Sequence, residues 1–105
     1  MTKGRGEQLT RHHKIPKSRG GGDEPSNIKI VKARIHRAWH TLFQNSDKTN
    51  MTPIEALEQV KEWAVPDLSS LGVYLPTKKR HAWNLVFGEN TTPAKAIKII
   101  TKEWS

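Results

Sequence analysis

The sequence predicts a small α+β fold that is mostly helical, with a short β-hairpin ahead of a series of helices. Apolar and polar residues alternate over residues 27–31, which is the pattern of a half-buried strand. From about Lys32 the apolar residues recur instead at the spacing of a helix that faces a core. A chain of 105 residues is long enough for one modest domain, so these elements are expected to share a single small core.

The hairpin is expected to follow a flexible basic tail, which we place at residues 1–8 because that stretch is polar and has no apolar period. Residues 9–16 form the first predicted strand and residues 27–31 the second. The loop between them, KSRGGGDEPSN, contains three consecutive glycines, whose backbone adopts conformations closed to other residues. The pattern therefore indicates two strands joined by a turn-rich loop.

Helical spacing and capping signals define the next elements. The first predicted helix ends near Asn45. Its apolar stripe consists of Ile35, Ala38, Trp39, Leu42 and Phe43. The second helix begins after Thr52, a favourable N-cap residue, and Glu55 completes a capping box with it. We expect this helix to extend to Trp63 or Ala64.

Two segments of the chain, residues 38–63 and residues 82–104, resemble each other. AWHTLF in the first corresponds to AWNLVF in the second, and TPIEA corresponds to TPAKA. We interpret residues 46–105 as a helical extension that completes a duplicated helical hairpin, with Thr77 and Thr92 as caps of the third and fourth helices. The four tryptophans fall at corresponding places in the two copies, and we expect them to pack in the core. They are Trp39 with Trp83 and Trp63 with Trp104.

The charge of the chain is unevenly distributed. The formal net charge is +8, and most of the excess of Lys and Arg falls within residues 1–40. Such a patch raises the local concentration of polyanions, of which nucleic acid is the commonest large example in a cell. Because the sequence has no cysteine, a metal ion can be bound only through nitrogen and oxygen ligands. No apolar run is long enough to span a bilayer or to act as a secretory signal, so we expect a soluble cytoplasmic protein without a membrane partner.

Four of the five histidines are arranged as two pairs. His12 and His13 are adjacent in the first strand, whereas His36 and His40 are one turn apart and share a face of the first helix. The second copy has arginine and asparagine at the positions of the helical pair, so the helical scaffold itself does not require imidazole there. With Asn27, these histidines lie on three successive elements that converge if the helix packs across the hairpin. The simpler alternative for the first pair is two exposed histidines in a basic loop.

Over residues 11–45, the stretches RHHKIPKSRGG, SNI and HRAWHTLF resemble the HNH nuclease family, with a spacing similar to that of the colicin-type DNase domains. The resemblance implies a ββα-metal finger over residues 9–45 that hydrolyses phosphodiester bonds with one divalent cation. The implied metal ligands are His12, His36 and His40. The resemblance also implies that His13 is the general base and that Asn27 holds the imidazole of His13 in its productive orientation.

These residue types suit phosphodiester hydrolysis. Imidazole exchanges protons near neutral pH, so a histidine can take a proton from the attacking water. A divalent cation acts as a Lewis acid on the phosphate and the departing oxygen. Many members of the family have an aspartate where this chain has His12. An all-imidazole ligand set favours Zn²⁺ or Ni²⁺, with Mg²⁺ or Mn²⁺ as further candidates.

Basic residues near the histidines are candidates for binding phosphate groups without reading the base sequence. They are Arg11, Lys14, Lys17, Arg19 and Arg37. A second basic run, residues 78–80, precedes the third helix, where such a run is more often a solvated face.

The sequence therefore predicts a metal-dependent endonuclease that acts on nucleic acid, with DNA favoured over RNA. Two alternatives stay open. One is a nucleic-acid-binding protein whose metal finger is only structural. The other is a protein-interaction module that presents its tryptophan-containing helices to a partner.

Overall fold

The computed structural model describes residues 8–64 and 75–105, so most of the predicted basic tail lies outside the described residues. The elements are β1 (Leu9–His13), β2 (Ile28–Lys32), α1 (Ala33–Leu42), α2 (Pro53–Trp63), α3 (Thr77–Phe87) and α4 (Pro93–Ile99), followed by a π-helical turn (Ile100–Trp104). The predicted α+β architecture, a two-stranded antiparallel sheet followed by helices, is confirmed. None of the described helices combines the length and apolar character needed to cross a bilayer.

The hairpin is shorter than its sequence pattern indicates. β1 and β2 pair in antiparallel register, with Leu9 opposite Lys32 and His13 opposite Ile28. β1 was expected to extend to residue 16 but ends at His13. Two residues further on, the backbone N–H and carbonyl of Ile15 are bonded by the carboxamide of Asn27, at 2.9 and 3.1 Å. A side chain therefore takes the place of a partner strand at this point.

Two glycines shape the loop between the strands. Gly20 has a φ of +90°, in the left-handed region that favours glycine. Gly21 packs so closely that an added Cβ atom would lie 1.7 Å from the carbonyl oxygen of Ile15. The carboxamide of Asn27 also donates to the carbonyl of Gly22, at 2.9 Å. The loop is thus fixed against the end of β1, next to His13.

The helix boundaries follow local signals in most places. Thr52 caps α2 and forms the predicted capping box with Glu55. Thr92 caps α4 by accepting a hydrogen bond from the backbone of the third helical residue. The prediction for α3 was wrong, because its N-cap residue is Pro76 and Thr77 is already helical. α1 ends at Leu42 rather than near Asn45, since the backbone of the next residue leaves the helical region with a φ of −120°.

The helices pack in corresponding pairs, α1 against α3 and α2 against α4 with the π-helical turn. Trp39, Trp83 and Trp104 are buried in the core, as predicted, whereas Trp63 is half-buried beneath the ammonium group of Lys79. The rings of Trp39 and Trp104 stack with centroids 4.0 Å apart and an interplanar angle of 4°. Through this stack the end of the chain packs against the first helix.

Substituting Gly21 tests how closely the loop is packed. In Gly21→Ala the new methyl group meets the backbone of Ile15, which has no flexible end to move, and we expect a loss of at least about 2 kcal/mol in the free energy of unfolding. Gly22→Ala is the matched control. Its Cβ meets only the flexible end of Glu24, so the change is expected to stay below about 1 kcal/mol. Urea unfolding of both variants measures the difference, and equal losses would contradict the close packing.

Candidate metal centre

Three imidazoles from two elements meet beside the hairpin. His12 projects from β1, and His36 and His40 project from adjacent turns of α1, with one ligand atom of each ring within 4.8 Å of the others. Ligands of a tetrahedral ion with metal–nitrogen distances of 2.0–2.1 Å lie roughly 3.3 Å apart, which small rotations of these rings would reach. These three residues are therefore close enough to hold one metal ion, as predicted.

Thr10 fixes the tautomer of one of these rings. Its hydroxyl donates to the carbonyl of Val31 at 2.9 Å, so its single proton is already committed. The 2.9 Å contact between Thr10 Oγ1 and His36 Nδ1 must then be donated by the ring. This leaves His36 Nε2 with a free lone pair. A hydrogen bond on the far nitrogen is the usual support for a histidine that binds metal.

The other two rings have polar atoms that need a partner. His12 Nδ1 and His40 Nδ1 are buried and have no hydrogen bond. Burial lowers the pKa of His12 to about 3, an effect that the neighbouring His40 and His36 enhance. Burial and the nearby His36 lower the pKa of His40 to about 4, and burial also lowers the pKa of His36. All three rings are therefore neutral at pH 7, the state in which imidazole binds metal.

Aromatic side chains enclose the buried side of this cluster. His12 is only 2% exposed. The ring of Trp104 lies edge-on to it with centroids 5.0 Å apart, and Trp39 lies 5.7 Å away. The ammonium group of Lys29 covers the outer side of Trp104, 5.0 Å from the ring centre. Solvent reaches the cluster from the side of His36 and His40, which are only partly buried.

His13 opens onto the same cleft as the metal-binding candidates, although it is the neighbour of His12 in the strand. The cleft has a volume of about 330 Å³. Its walls are formed by Arg11, His13, Pro16, Lys17, Ser18, His36, His40 and Asn50. Adjacent strand residues normally face opposite ways, but β1 ends at His13, where the backbone turns into the loop. One strand end thus supplies a buried imidazole and a more accessible one to a single site.

An acidic partner holds the imidazole of His13. Its Nε2 lies 2.7 Å from Oδ1 of Asp23, in the glycine-rich loop. Hydrogen bonds from His13 and Lys17 hold the pKa of the Asp23 carboxyl below its usual range, so the carboxylate accepts and the ring donates. Nδ1 of His13 is then left as a proton acceptor.

Asn27 has a different role from the one that the resemblance implies. Its carboxamide bonds to Ile15 and Gly22, within the loop, while Asp23 contacts the imidazole of His13. The carbonyl of Asn27 accepts from the N–H of Lys14, directly after the histidine. The effect of Asn27 on His13 therefore passes through the backbone and the loop.

The predicted phosphate-binding residues divide into groups. Arg11 and Lys17 line the cleft, and Arg37 is exposed on the turn of α1 that carries His40. Lys14 lines neither this cleft nor the other cavities described below. Arg19 is bound by both carboxylate oxygens of Glu55, at 2.6 and 3.0 Å, so its guanidinium group ties the loop to α2.

Sequence reasoning missed several residues of the site. Among them are Thr10, Asp23, Asn50 and Trp104. Asp23 is the only one with a sequence signal, as one of two acidic residues in an otherwise basic and glycine-rich loop. The other three reach the site through tertiary packing, which their neighbours in the sequence do not indicate.

Comparison with protein-family models, with curated proteins and with solved structures finds no match to this chain. No relative therefore assigns a chemistry to the residues of the site. Those residues provide three neutral imidazoles able to bind a cation and a fourth imidazole paired with a carboxylate beside them.

Metal binding can be followed by tryptophan fluorescence. An open-shell Ni²⁺ ion held by His12 should quench Trp39 and Trp104, and closed-shell Zn²⁺ should compete with it, because both indoles lie against that ring. His40→Gln should abolish quenching at one equivalent of Ni²⁺, while His81→Gln, which alters an exposed histidine, should leave it unchanged. Equal quenching in both variants would contradict the assigned ligands.

The metal-free protein should lose stability as the pH falls from 6.5 to about 4. In this range the unfolded chain takes up protons on His12, His36 and His40, whose pKa values in the folded state are lowered, so unfolding becomes more favourable. Urea unfolding at a series of pH values, in the presence of a chelator, measures how the free energy of unfolding depends on pH. His12→Leu should flatten this pH dependence, because it removes one of the three buried rings. A pH-independent stability between 6.5 and 4 would contradict the burial of neutral rings.

Proposed function

We propose that this protein is a metal-dependent endonuclease of the HNH type. In this proposal residues 9–45 are a ββα-metal finger and residues 46–105 are a helical extension built on a duplicated hairpin. The observation that supports it best is that His13 opens onto the same basic cleft as His36 and His40, while His12 completes the three-histidine cluster from its buried side. Among the described residues that line this cleft none is acidic, while Arg11 and Lys17 are basic, so the cleft favours an anionic substrate.

Phosphodiester hydrolysis requires a deprotonated water and stabilisation of negative charge on oxygen. His13 supplies the base in this proposal. Its Nε2–H is donated to Asp23, which leaves Nδ1 to take one proton from the attacking water. The resulting imidazolium has its positive charge next to the Asp23 carboxylate, which stabilises it. Arg11, at the wall of the cleft, would hold the phosphate in position, and Lys17, whose ammonium group lies 3.4 Å from Oδ1 of Asp23, would contribute beside it.

The three-histidine cluster provides the second requirement. A divalent cation bound there would act as a Lewis acid on the phosphate and the departing oxygen. His12, His36 and His40 are all neutral, so they would leave the full charge of the ion available to the substrate. A set of three imidazoles favours Zn²⁺ or Ni²⁺ over Mg²⁺, with Mn²⁺ intermediate.

A second candidate is a nucleic-acid-binding protein in which the metal is structural. The enclosure of His12 by Trp39 and Trp104 favours it, because structural metal sites are closed and buried. The partial exposure of His36 and His40, together with the His13–Asp23 pair at the open side, favours the enzyme. The two candidates differ in the role of His13, which is a general base in the enzyme and at most a binding residue in the structural-metal protein.

Nicking of supercoiled plasmid DNA tests the proposal. We expect cleavage with Zn²⁺, Ni²⁺ or Mn²⁺, loss of cleavage with a chelator, and a loss of roughly 10²- to 10⁴-fold in His13→Ala with quenching by Ni²⁺ retained. Asp23→Asn should lower the rate less than His13→Ala does, because the ring stays in place but the imidazolium formed in the reaction loses its anionic partner.

Glu89→Gln is the matched control for Asp23→Asn, because it neutralises an exposed carboxylate away from the cleft, and it should cleave like the wild type. Cleavage at wild-type rates by His13→Ala would contradict the assigned base. DNA binding without cleavage in any of these metals would favour the structural-metal candidate instead.

A further inference from the structure

A second cavity adjoins the cleft on the far side of His40. It has a volume of about 580 Å³ and lies between α1 and the start of α3. Its walls are formed by Arg37, His40, Thr41, Gln44, Pro76, Lys78 and Lys79. A third cavity, of about 220 Å³, continues along the same two helices and shares Arg37, Thr41 and Lys78 with the second. We call the second and third cavities together the α1–α3 groove.

The groove is continuous with the metal centre. His40 lines both the cleft that holds His13 and the larger cavity of the groove. Its position on α1 explains this, because Arg37, His40 and Thr41 share one face of the helix and Gln44 follows just beyond its end. A polymer that leaves the cleft past His40 therefore enters the groove.

The charge of the groove has one sign. Among its described lining residues none is acidic, while Arg37, Lys78 and Lys79 are basic. Arg37 and Lys78 are exposed and take part in none of the ion pairs formed within residues 8–64 and 75–105. Lys79 lies over the ring of Trp63, at 5.5 Å, a contact that orients the ammonium group without neutralising it. The first turn of α3 also has no acidic residue.

We propose that the α1–α3 groove binds the phosphodiester backbone of the nucleic acid beyond the scissile phosphate, with Arg37 and Lys78 as the principal contacts. The direction of the strand, from cleft to groove, rests on the proposed function. The α1 face from Arg37 to Thr41 rises roughly 6 Å, which matches about two nucleotides of one strand at 3.4 Å each. The contacts are to phosphate, so they set affinity and salt dependence and do not select a base sequence.

The basic run at residues 78–80 lies partly along the groove. The sequence favoured a solvated helix face. Lys78 and Lys79 instead form one wall of a groove whose opposite wall holds Arg37 and a metal-ligand candidate. Arg80 is exposed and lines none of these three cavities. The run is therefore divided between a groove and an open surface.

Binding of a short fluorescent DNA duplex, measured by anisotropy in a chelator across a series of salt concentrations, tests the groove without requiring cleavage. Arg37→Gln/Lys78→Gln removes one contact from each wall. We expect its dissociation constant to rise roughly tenfold at low salt and the slope of log K against log salt to decrease by about 2, one for each lost phosphate contact. The single substitution Lys78→Glu, at an exposed side chain, should also raise the dissociation constant.

The matched control is Lys95→Gln/Lys98→Gln, which removes the same charge from exposed positions of α4 that do not line the groove. It should bind with almost the wild-type affinity and slope. An RNA duplex of the same sequence that shows the same dependence on Arg37 and Lys78 would also support contact to the backbone.

Two results would contradict the proposed role of the groove. One is wild-type affinity and salt dependence in Arg37→Gln/Lys78→Gln. The other is an equal loss of affinity in Lys95→Gln/Lys98→Gln, which would show that only net charge matters. The plasmid assay separates this outcome from failure of the endonuclease. If no metal supports cleavage but Arg37→Gln/Lys78→Gln still loses DNA binding, the proposal that the groove binds the backbone is supported and the proposed catalytic activity is contradicted.

Discussion

The direct connection between β2 and α1 is the constraint on which the site depends. β2 ends at Lys32 and α1 begins at Ala33, whose N–H bonds across to the carbonyl of Gln8 at 2.7 Å. The helix therefore starts beside the first residue of β1 and is held alongside that strand. Two strand residues span roughly 6.7 Å and four helical residues roughly 6 Å. This near match lets Thr10 meet His36 while His12 meets His40.

The same packing explains why the rest of the chain belongs to the site. α1 is buried against α3, and the π-helical turn at the end of the chain returns to stack Trp104 on Trp39. Trp104 then covers His12, which makes the ring dry and neutral. The helical segments thus do two things for the centre. They seal its buried side, and α3 supplies the basic wall of the groove at its open side.

Sequence patterns predicted what depends on local interactions. The capping box of Thr52 and the spacing of His36 and His40 are set within one helical turn, and both were correctly predicted. The end of α1 was placed too late, because the burial of Phe43 outside the helix is a tertiary effect. The role of Arg19 was predicted from its charge alone, but its partner Glu55 lies far along the chain.

The candidate site shows the same contrast between features set by local sequence and features set by tertiary contacts. The family resemblance implied the three imidazoles as metal ligands, whereas nothing in the sequence indicated the groups that set their protonation. Thr10 selects the tautomer of His36 and Asp23 selects that of His13, and each does so across the fold. Hydroxyl and carboxylate groups are common at the surface, so only their distance from a ring gives them a role. Asn27 was recognised as important, but its three hydrogen bonds hold the loop rather than the imidazole.

The central claim is that three imidazoles converge on one cation, and X-ray absorption at the zinc edge of the Zn²⁺-loaded protein tests it most directly. The account predicts one ion per chain, nitrogen neighbours at about 2.0–2.1 Å, and the scattering pattern of three imidazole rings. It also predicts that one of these rings is lost in His40→Gln. A spectrum with one imidazole or none, or one that His40→Gln leaves unchanged, would contradict the site and the activity proposed from it.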